Sequence, residues 1–433
     1  MGRMPTDIGA IRRLARLPRD VRESRHRPSR DARRRLGMLF YEPNPGLRQE
    51  LIETGALVLR PPTSEVDVSS SALAAAERVR SAYRLAAAEA EEHPETNPSG
   101  QWKILIEKSY GELFRALQGD DHLVLATTFE RMFAARTTTG LSMGGELGYL
   151  SNQGGRDFYH DWWLDGLYCL ASYLGILPET METGQSPIAT VPAFEALYRA
   201  VVERLGTRPD FPAVCGAWGL EFHGVPTPRT SWRHLHSAHA MLDETKSLAL
   251  PRIVEVGAGF GGVAYWIQRL RPEAVEYVTY DFPIVNAIAG YFLLRALPDR
   301  LVVLTGERPQ PGKPQIAVLP NWRVFQEPDF GTDMAFNQDS LPEMPREVAV
   351  RYLELFDRIV RIGFYSENQE DAHRWDPSDV TSAQPRLPDL EVAMKRLRRT
   401  SRSRAWMRRG YFETLYRPRL ESKSLVAAGE TQP

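Results

Sequence analysis

Three glycines stand at alternate positions, Gly257, Gly259 and Gly261, directly after the apolar run Ile253-Val254-Glu255-Val256. A carboxylate, Asp281, closes a second apolar run about twenty residues later. Glycines are wanted where a backbone must turn tightly and lie against a ligand that side chains would push away. An acid at the end of the following strand can hold ribose hydroxyls. Together these residues point to a nucleoside cofactor. Glu255, two residues ahead of the first glycine, can orient the turn or reach a positively charged ligand through water. Gly257, Gly259 and Gly262 also satisfy the spacing of dinucleotide-binding turns, so a nicotinamide cofactor competes at this point.

Residues for proton transfer lie on either side of this unit. His234, His236 and His239 precede it; on a helix His236 and His239 share a face, and His234 lies away from His239. A histidine with an ordinary pKa of about 6.5 is largely unprotonated at pH 7 and can serve as a base. No tight carboxylate spacing accompanies the three histidines, so a metal site is not expected among them. Asp339 is the strongest acidic candidate. It could orient a histidine, act as base, hold a divalent ion with Glu343, or cap the helix that follows Pro342. His160 and Asp161, beside Trp162 and Trp163, suit either an aromatic acceptor pocket or an interface helix. Glu367, Asn368 and His373 are expected in a loop after a fifth strand. Cys169 and Cys215 form neither a disulfide framework nor a zinc cluster and are expected reduced and buried.

The elements that must position these groups follow from periodicity. Residues 1–35 form a basic arm, with eleven arginines between Ile11 and Arg35. Residues 36–245 read as a mostly helical unit, with apolar positions at helical spacing over 73–86, 104–117, 123–135, 158–173 and 191–205, a break at 93–100 and a Gly-rich loop at 140–155. Five strands are predicted after Pro251, at 253–256, 276–280, 301–304, 333–337 and 359–365. Helices intervene after the first, second and fourth. That alternation predicts an α/β domain over 246–380 with a parallel sheet covered on both faces. A proline-rich loop is expected over 309–325, with a short strand at 322–325. Residues 381–433 form a basic C-terminal segment with a helix near Val392.

Glu255-Val-Gly-Ala-Gly-Phe-Gly-Gly resembles the first motif of class I S-adenosylmethionine-dependent methyltransferases, and Tyr280-Asp281-Phe282-Pro283 resembles their acidic second motif. Asn337-Gln338-Asp339-Ser340-Leu341-Pro342-Glu343-Met344 is similar to the fourth-strand segment of the sugar O-methyltransferase family, and Trp232-Arg233-His234 to the Arg-His stretch ahead of its first motif. The resemblance spans roughly residues 215–370. It implies a Rossmann-like class I methyltransferase domain preceded by a mostly helical N-terminal domain. It further implies that Gly257, Ala258, Gly259 and Gly261 line the methionine moiety, Asp281 the ribose and Phe282 the adenine face, with Glu255 supporting the loop. Asn337 and Asp339 would stand where the fourth strand opens toward methyl donor and acceptor.

The implied reaction is methyl transfer from S-adenosyl-L-methionine to a hydroxyl of a sugar, a glycoside or a polyhydroxy natural-product intermediate, without an expected metal. An N- or C-methyltransferase on a small precursor is the alternative. A further one is a non-catalytic binding protein that holds nucleic acid through its arm. Bulk properties bound these choices. The chain has 433 residues, 42% apolar and 25% charged, with a net charge of −1. That suits a globular protein with no overall bias toward polyanions, so nucleic acid is not the expected partner. The N-terminal stretch lacks a continuous apolar segment, and no run approaches the roughly 20 apolar residues that cross a bilayer. A cytoplasmic enzyme is expected, with the helical half serving as acceptor pocket, lid or homodimer interface.

Overall fold

A computed structural model describes residues 39–41, 44–63, 66–141, 143–177, 188–222, 224–272, 274–370 and 386–419. The arginine-rich arm and His373 lie outside the described residues.

The helical half carries α1 (Pro45–Glu53), α2 (Ser70–Glu89), α3 (Gly100–Ser109), α4 (Gly111–Gln118), α5 (His122–Glu130), α6 (Gln153–Tyr173), α7 (Val191–Leu205) and α8 (Arg229–Glu244). Local chemistry sets several boundaries. The Ser69 hydroxyl accepts the Ala72 N–H at the start of α2, Thr190 does the same for Ala193 in α7, and Gly206 ends α7 in the left-handed region at φ 66°. The predicted helix over 104–117 is two helices, because Tyr110 leaves helical geometry at φ −98°, ψ 3°. The Gly-rich segment holds a single helical turn at Met143–Glu146 and a tighter one at Leu147–Ser151 before α6 begins. Periodicity did not indicate the small antiparallel sheet of β1 (Leu57–Arg60), β2 (Gly219–Phe222) and β3 (Val225–Thr227).

The second half alternates strand and helix: β4 (Arg252–Val256), α9 (Gly262–Leu270), β5 (Glu276–Asp281), α10 (Pro283–Ala296), β6 (Val302–Leu304), β7 (Gln315–Pro320), β8 (Thr332–Gln338), α11 (Arg346–Ile359), β9 (Val360–Gln369), β10 (Leu397–Arg404) and β11 (Tyr411–Pro418). The sheet order is β6-β7-β5-β4-β8-β9-β11-β10. Strands β6 through β9 pair in parallel, and β11 enters antiparallel between β9 and β10. This is the Rossmann-like class I methyltransferase sheet with a helical N-terminal extension. Among the described residues no helix is long and apolar enough to cross a membrane.

Three expectations are corrected here. The strand in the proline-rich stretch is Gln315–Pro320, and 322–325 falls in a 3₁₀ turn instead. Ile316 to Val318 are apolar and buried between β5 and β6, whereas Trp322 and Val324 pack from a turn. The helix near Val392 is short and not basic, an α turn at Leu387–Leu390 running into a 3₁₀ turn at Glu391–Ala393, and the basic run beyond it forms the β10–β11 hairpin. Glu367 and Asn368 are inside β9 and fully buried, because pairing with β11 extends that strand beyond its apolar stretch.

One core fills the space between the helical half and one sheet face, joining Phe129, Trp163 and Trp232 to Trp266, Tyr291 and Phe292. The other face is covered by α11, whose Ala349, Tyr352, Leu353, Phe356 and Ile359 recur at three- and four-residue spacing. The helical half is therefore packed onto the sheet through shared apolar side chains. Register does the positioning: Val256 lies opposite Tyr280 on one side and Asn337 on the other. The glycine turn, Asp281 and Asp339 thus emerge together at the carboxyl edge, where ligands bind in open α/β sheets.

Candidate active site

The glycine turn begins where β4 ends. Gly257, Gly259 and Gly261 all have positive φ, at 80°, 58° and 83°. A side chain at Gly257 would also collide with Ser340. The Gly259 N–H donates to Asp281 Oδ2 at 3.0 Å, and the Phe282 N–H donates to Asp281 Oδ1 at 2.7 Å. One carboxylate therefore ties the glycine turn to the end of β5. Burial pushes Asp281 up to about 7 against these two donors. Glu255 sits beneath the turn and accepts the Tyr277 hydroxyl at 2.8 Å. Burial pushes it up to about 8, so the group under the turn is largely neutral at pH 7.

These residues open into a cavity of about 910 Å³. Glu255, Gly257, Ala258, Gly259, Asp281, Phe282, Asp339 and His234 line it. Gly261 instead starts α9. Asn337 is fully buried behind the wall: its Nδ2 donates to the Val256 carbonyl at 2.8 Å and to Ser340, and its Oδ1 accepts the Asn368 amide at 2.9 Å. It locks β8 to the glycine turn and leaves Gln338 and Ser340 to face the cavity.

The three histidines of α8 part company. His234 packs edge-on to Phe260 at 5.2 Å and lies so close to Gly262 that a side chain there would strike its ring. Burial, then Arg233 and Arg229, lower its pKa well below the ordinary value, so it is neutral near pH 7. Its Nδ1 is buried without a hydrogen-bond partner. His236 is fully buried away from the cavity, against Tyr173 and Glu413. His239 meets the Tyr173 hydroxyl through Nδ1 at 3.2 Å and is also outside the cavity lining.

Asp339 stands in the left-handed region at φ 66°. It does not start a helix: the tight turn at Leu341–Glu343 follows Ser340, and α11 follows Pro345. Arg233 reaches its Oδ2 at 2.9 Å and Arg408 at 2.6 Å. Burial would raise this acid, but the two guanidiniums hold it at about 2. A carboxylate held this firmly ionised is a weak proton acceptor and a strong organiser of arginines.

The helical half supplies the opposite wall. Arg229 lies 3.6 Å over the Trp162 ring and is fixed by Glu146, with Nη2 to Oε1 at 2.8 Å. Tyr149 meets Trp162 edge-on at 5.7 Å. Trp102 donates its Nε1–H to Glu343 Oε2 at 2.7 Å and tilts against Phe282 at 6.2 Å. Trp162 is the member of the His160–Trp163 stretch that reaches the cavity. Asp161 is paired with Arg48 at 3.1 Å, His160 contacts the Arg156 carbonyl at 2.8 Å, and Trp163 is buried with its Nε1–H on the Thr227 carbonyl at 2.9 Å. Sequence reasoning missed Trp102, Glu146, Tyr149, Arg229 and Arg408. The Arg408-Arg409-Gly410 turn carried only a basic signature, which reads equally as a solvated face.

No family model matches the chain, and no curated protein matches it in sequence. Among solved structures it is similar to the mitomycin 7-O-methyltransferase MmcR, at 15% identity over 44% of this chain and 56% of that one, with a TM-score of 0.32. It is similar to a SAM-dependent methyltransferase from Aquifex aeolicus, at 13% identity over 42% and 90%, TM-score 0.30. It is also similar to magnesium protoporphyrin IX methyltransferase from Synechocystis PCC 6803, at 12% identity over 44% and 81%, TM-score 0.31.

Proposed function

We propose that this chain is a cytoplasmic S-adenosylmethionine-dependent O-methyltransferase whose acceptor is a hydroxylated small molecule, a sugar, glycoside or polyhydroxy compound. The observation that carries the reading is one continuous cavity. Its floor is the glycine turn with Asp281, its far wall is Trp102, Tyr149 and Trp162, and His234 lies on its lining.

The residues fit S-adenosylmethionine on the ground of their own geometry. Gly257 and Gly259, both at positive φ, present backbone without side chains to the cavity, Asp281 accepts the Gly259 N–H and has further acceptor capacity, and Phe282 and Trp102 offer ring faces. Glu255 and Asp281, both held up by burial, gain from a cationic ligand: a sulfonium or ammonium placed in the cavity would favour their ionised forms. When bound, the cofactor supplies a methyl group on positively charged sulfur, already activated, so the protein contributes mainly alignment. Asp281 would hold the ribose hydroxyls and Gly257 to Gly259 would cradle the methionine end.

On the acceptor side, aromatic faces and fixed polar groups alternate, which suits a ring bearing several hydroxyls: Trp162 under Arg229, Tyr149 beside it, and Glu146, Gln338 and Glu343 around it. His234 would take the proton as the acceptor oxygen forms its bond to carbon. It is neutral near pH 7 and so free to accept the proton; burial, Arg233 and Arg229 make it a weaker base than an ordinary imidazole, which places its contribution at the low end of the roughly 10²–10⁴-fold a positioned base supplies. The test combines calorimetry with S-adenosylmethionine and S-adenosylhomocysteine with incubation of deuteromethyl donor against a panel of glycosides, polyols and phenols, read by mass spectrometry. Micromolar binding and a labelled O-methyl product are expected. Absence of binding by either nucleoside would overturn the cofactor assignment, and label found on nitrogen or carbon would overturn the oxygen one.

A further inference from the structure

Behind the Gln338–Asp339 wall, three elements bring together side chains that the proposed reaction does not use. His236 comes from α8, Glu367 from β9 and Glu413 from β11, with Glu413 directly opposite Glu367 in strand register. One ligand-capable atom from each lies within 4.8 Å of the others, and His236 Nε2 is 3.7 Å from Glu413 Oε1. All three are buried, His236 to 0% exposure.

Their hydrogen bonding is incomplete in a particular way. Glu367 Oε2 accepts Ser237 Oγ at 3.0 Å and Gln338 Nε2 at 2.6 Å, and Glu413 Oε1 accepts the Trp406 N–H at 2.7 Å. Both ring nitrogens of His236 and Glu367 Oε1 have no hydrogen-bond partner. Buried polar atoms are normally satisfied, and a group of orphans facing one another is the mark of an ion or water that belongs between them. Two buried carboxylates beside an unpaired imidazole call for a positive charge. The Tyr365 hydroxyl, beside Glu413, is a further oxygen donor.

We infer that His236, Glu367 and Glu413 form a structural site for a divalent first-row transition metal of the zinc or manganese type. One imidazole and two carboxylates are a ligand set such ions accept, and a fully buried site with a nitrogen donor disfavours magnesium, which retains water. The ion would clamp α8 to β9 and β11. It would thereby fix Gln338 and Asp339 at the cavity wall without touching acceptor or cofactor. The inference stands apart from the methyl-transfer reading, since no cavity-lining residue is a ligand.

The test uses the full chain. Metal content is measured by mass spectrometry on protein purified without chelator, then after chelation and dialysis, then after titration with Zn²⁺ or Mn²⁺ alone, with thermal unfolding followed at each stage. About one equivalent of metal per chain is expected, with a melting temperature several degrees lower after chelation that returns on adding the ion. Glu413→Gln and His236→Gln, close in volume to the native residues, should each lower metal affinity at least tenfold while the circular dichroism spectrum is kept. If a variant fails to fold, Co²⁺ added to the stripped native protein gives an independent readout: visible absorption bands of a protein-bound ion support the site. Metal-free protein that binds neither Zn²⁺ nor Mn²⁺ and shows no thermal shift would overturn the inference and leave a shared proton as the charge between the carboxylates. Full retention of metal in folded His236→Gln would overturn the placement.

Discussion

Asp281 holds two backbone donors in the structure, one from the glycine turn and one from Phe282. Under the proposed reading the same carboxylate grips the ribose. Charge-assisted hydrogen bonds are worth about 1.5–3 kcal/mol each, so Asp281→Ala should weaken S-adenosylmethionine about 10–100-fold by calorimetry. An unchanged affinity would remove Asp281 from the cofactor site. His234 makes a second claim at this scale. His234→Ala should lower the turnover of an identified acceptor at least a hundredfold while cofactor affinity stays within a few-fold. Burial and the neighbouring arginines hold its pKa well below 6.5. The native rate should therefore show no loss attributable to this base as pH falls from 8 to 6.5. A midpoint near 6.5 in the free enzyme's pH profile would contradict that.

Among the elements, α8 and the β10–β11 hairpin matter most. The helix sends His234 to the cavity and His236 into the interior, and its Arg233, one residue before His234, meets Asp339. The hairpin reaches the same acid from the other side through Arg408. Asp339 is thus the joint at which the end of β8, a helix from the N-terminal half and the C-terminal turn are drawn together. Its left-handed backbone is strained for a residue with a side chain, and the paired arginines hold it there. Arg408→Ala should raise the acceptor KM severalfold and leave cofactor affinity nearly unchanged, because Arg408 lines the cavity and pairs with Asp339 but makes no hydrogen bond to the glycine turn or to Asp281. Equal losses in both affinities would show that the clamp serves the whole site.

At the scale of the molecule, buried acids shape the pH dependence of stability: Glu255 and Asp281 in the site, and Asp165 of α6, which accepts the Phe40 and Tyr41 N–H groups. Asp281 and Asp165 are pushed up by burial to about 7, and Glu255 to about 8. The native state therefore binds more protons than the unfolded chain between roughly pH 4 and 8. Stability from these groups is complete below pH 4 and is lost as pH rises through 7 to 8. His234 acts in the opposite sense, with its penalty gone once pH exceeds 6.5. Above 6.5 the acids dominate, and each costs about 1.4 kcal/mol per pH unit until it is fully ionised. The urea midpoint of ligand-free protein should fall between pH 6.5 and 8.5. A rising midpoint would show that these carboxylates are ionised in the native state.

The glycine turn, the acid after it and the alternation of strand and helix were legible in the chain because each is local: a backbone that needs positive φ needs glycine, and a strand buried on both faces reads as an apolar run. The segment Asn337 to Met344 stood out by its resemblance to a family motif rather than by local backbone chemistry, and Gln338, Asp339, Ser340, Glu343 and Met344 of it line the cavity. Tertiary structure alone decided the remainder. It placed His234 in the cavity and His236 behind it, although both lie on one helix, because the side facing the glycine turn differs from the side facing β11. It turned a basic tail into the last two strands, since its alternating Tyr411, Glu413 and Leu415 find burial only once β9 is beside them. It also converted Asp339 from a plausible base into a clamped anion. The arginines that lower its pKa come from positions 233 and 408, and no spacing in the chain could bring those charges within 3 Å of one carboxylate.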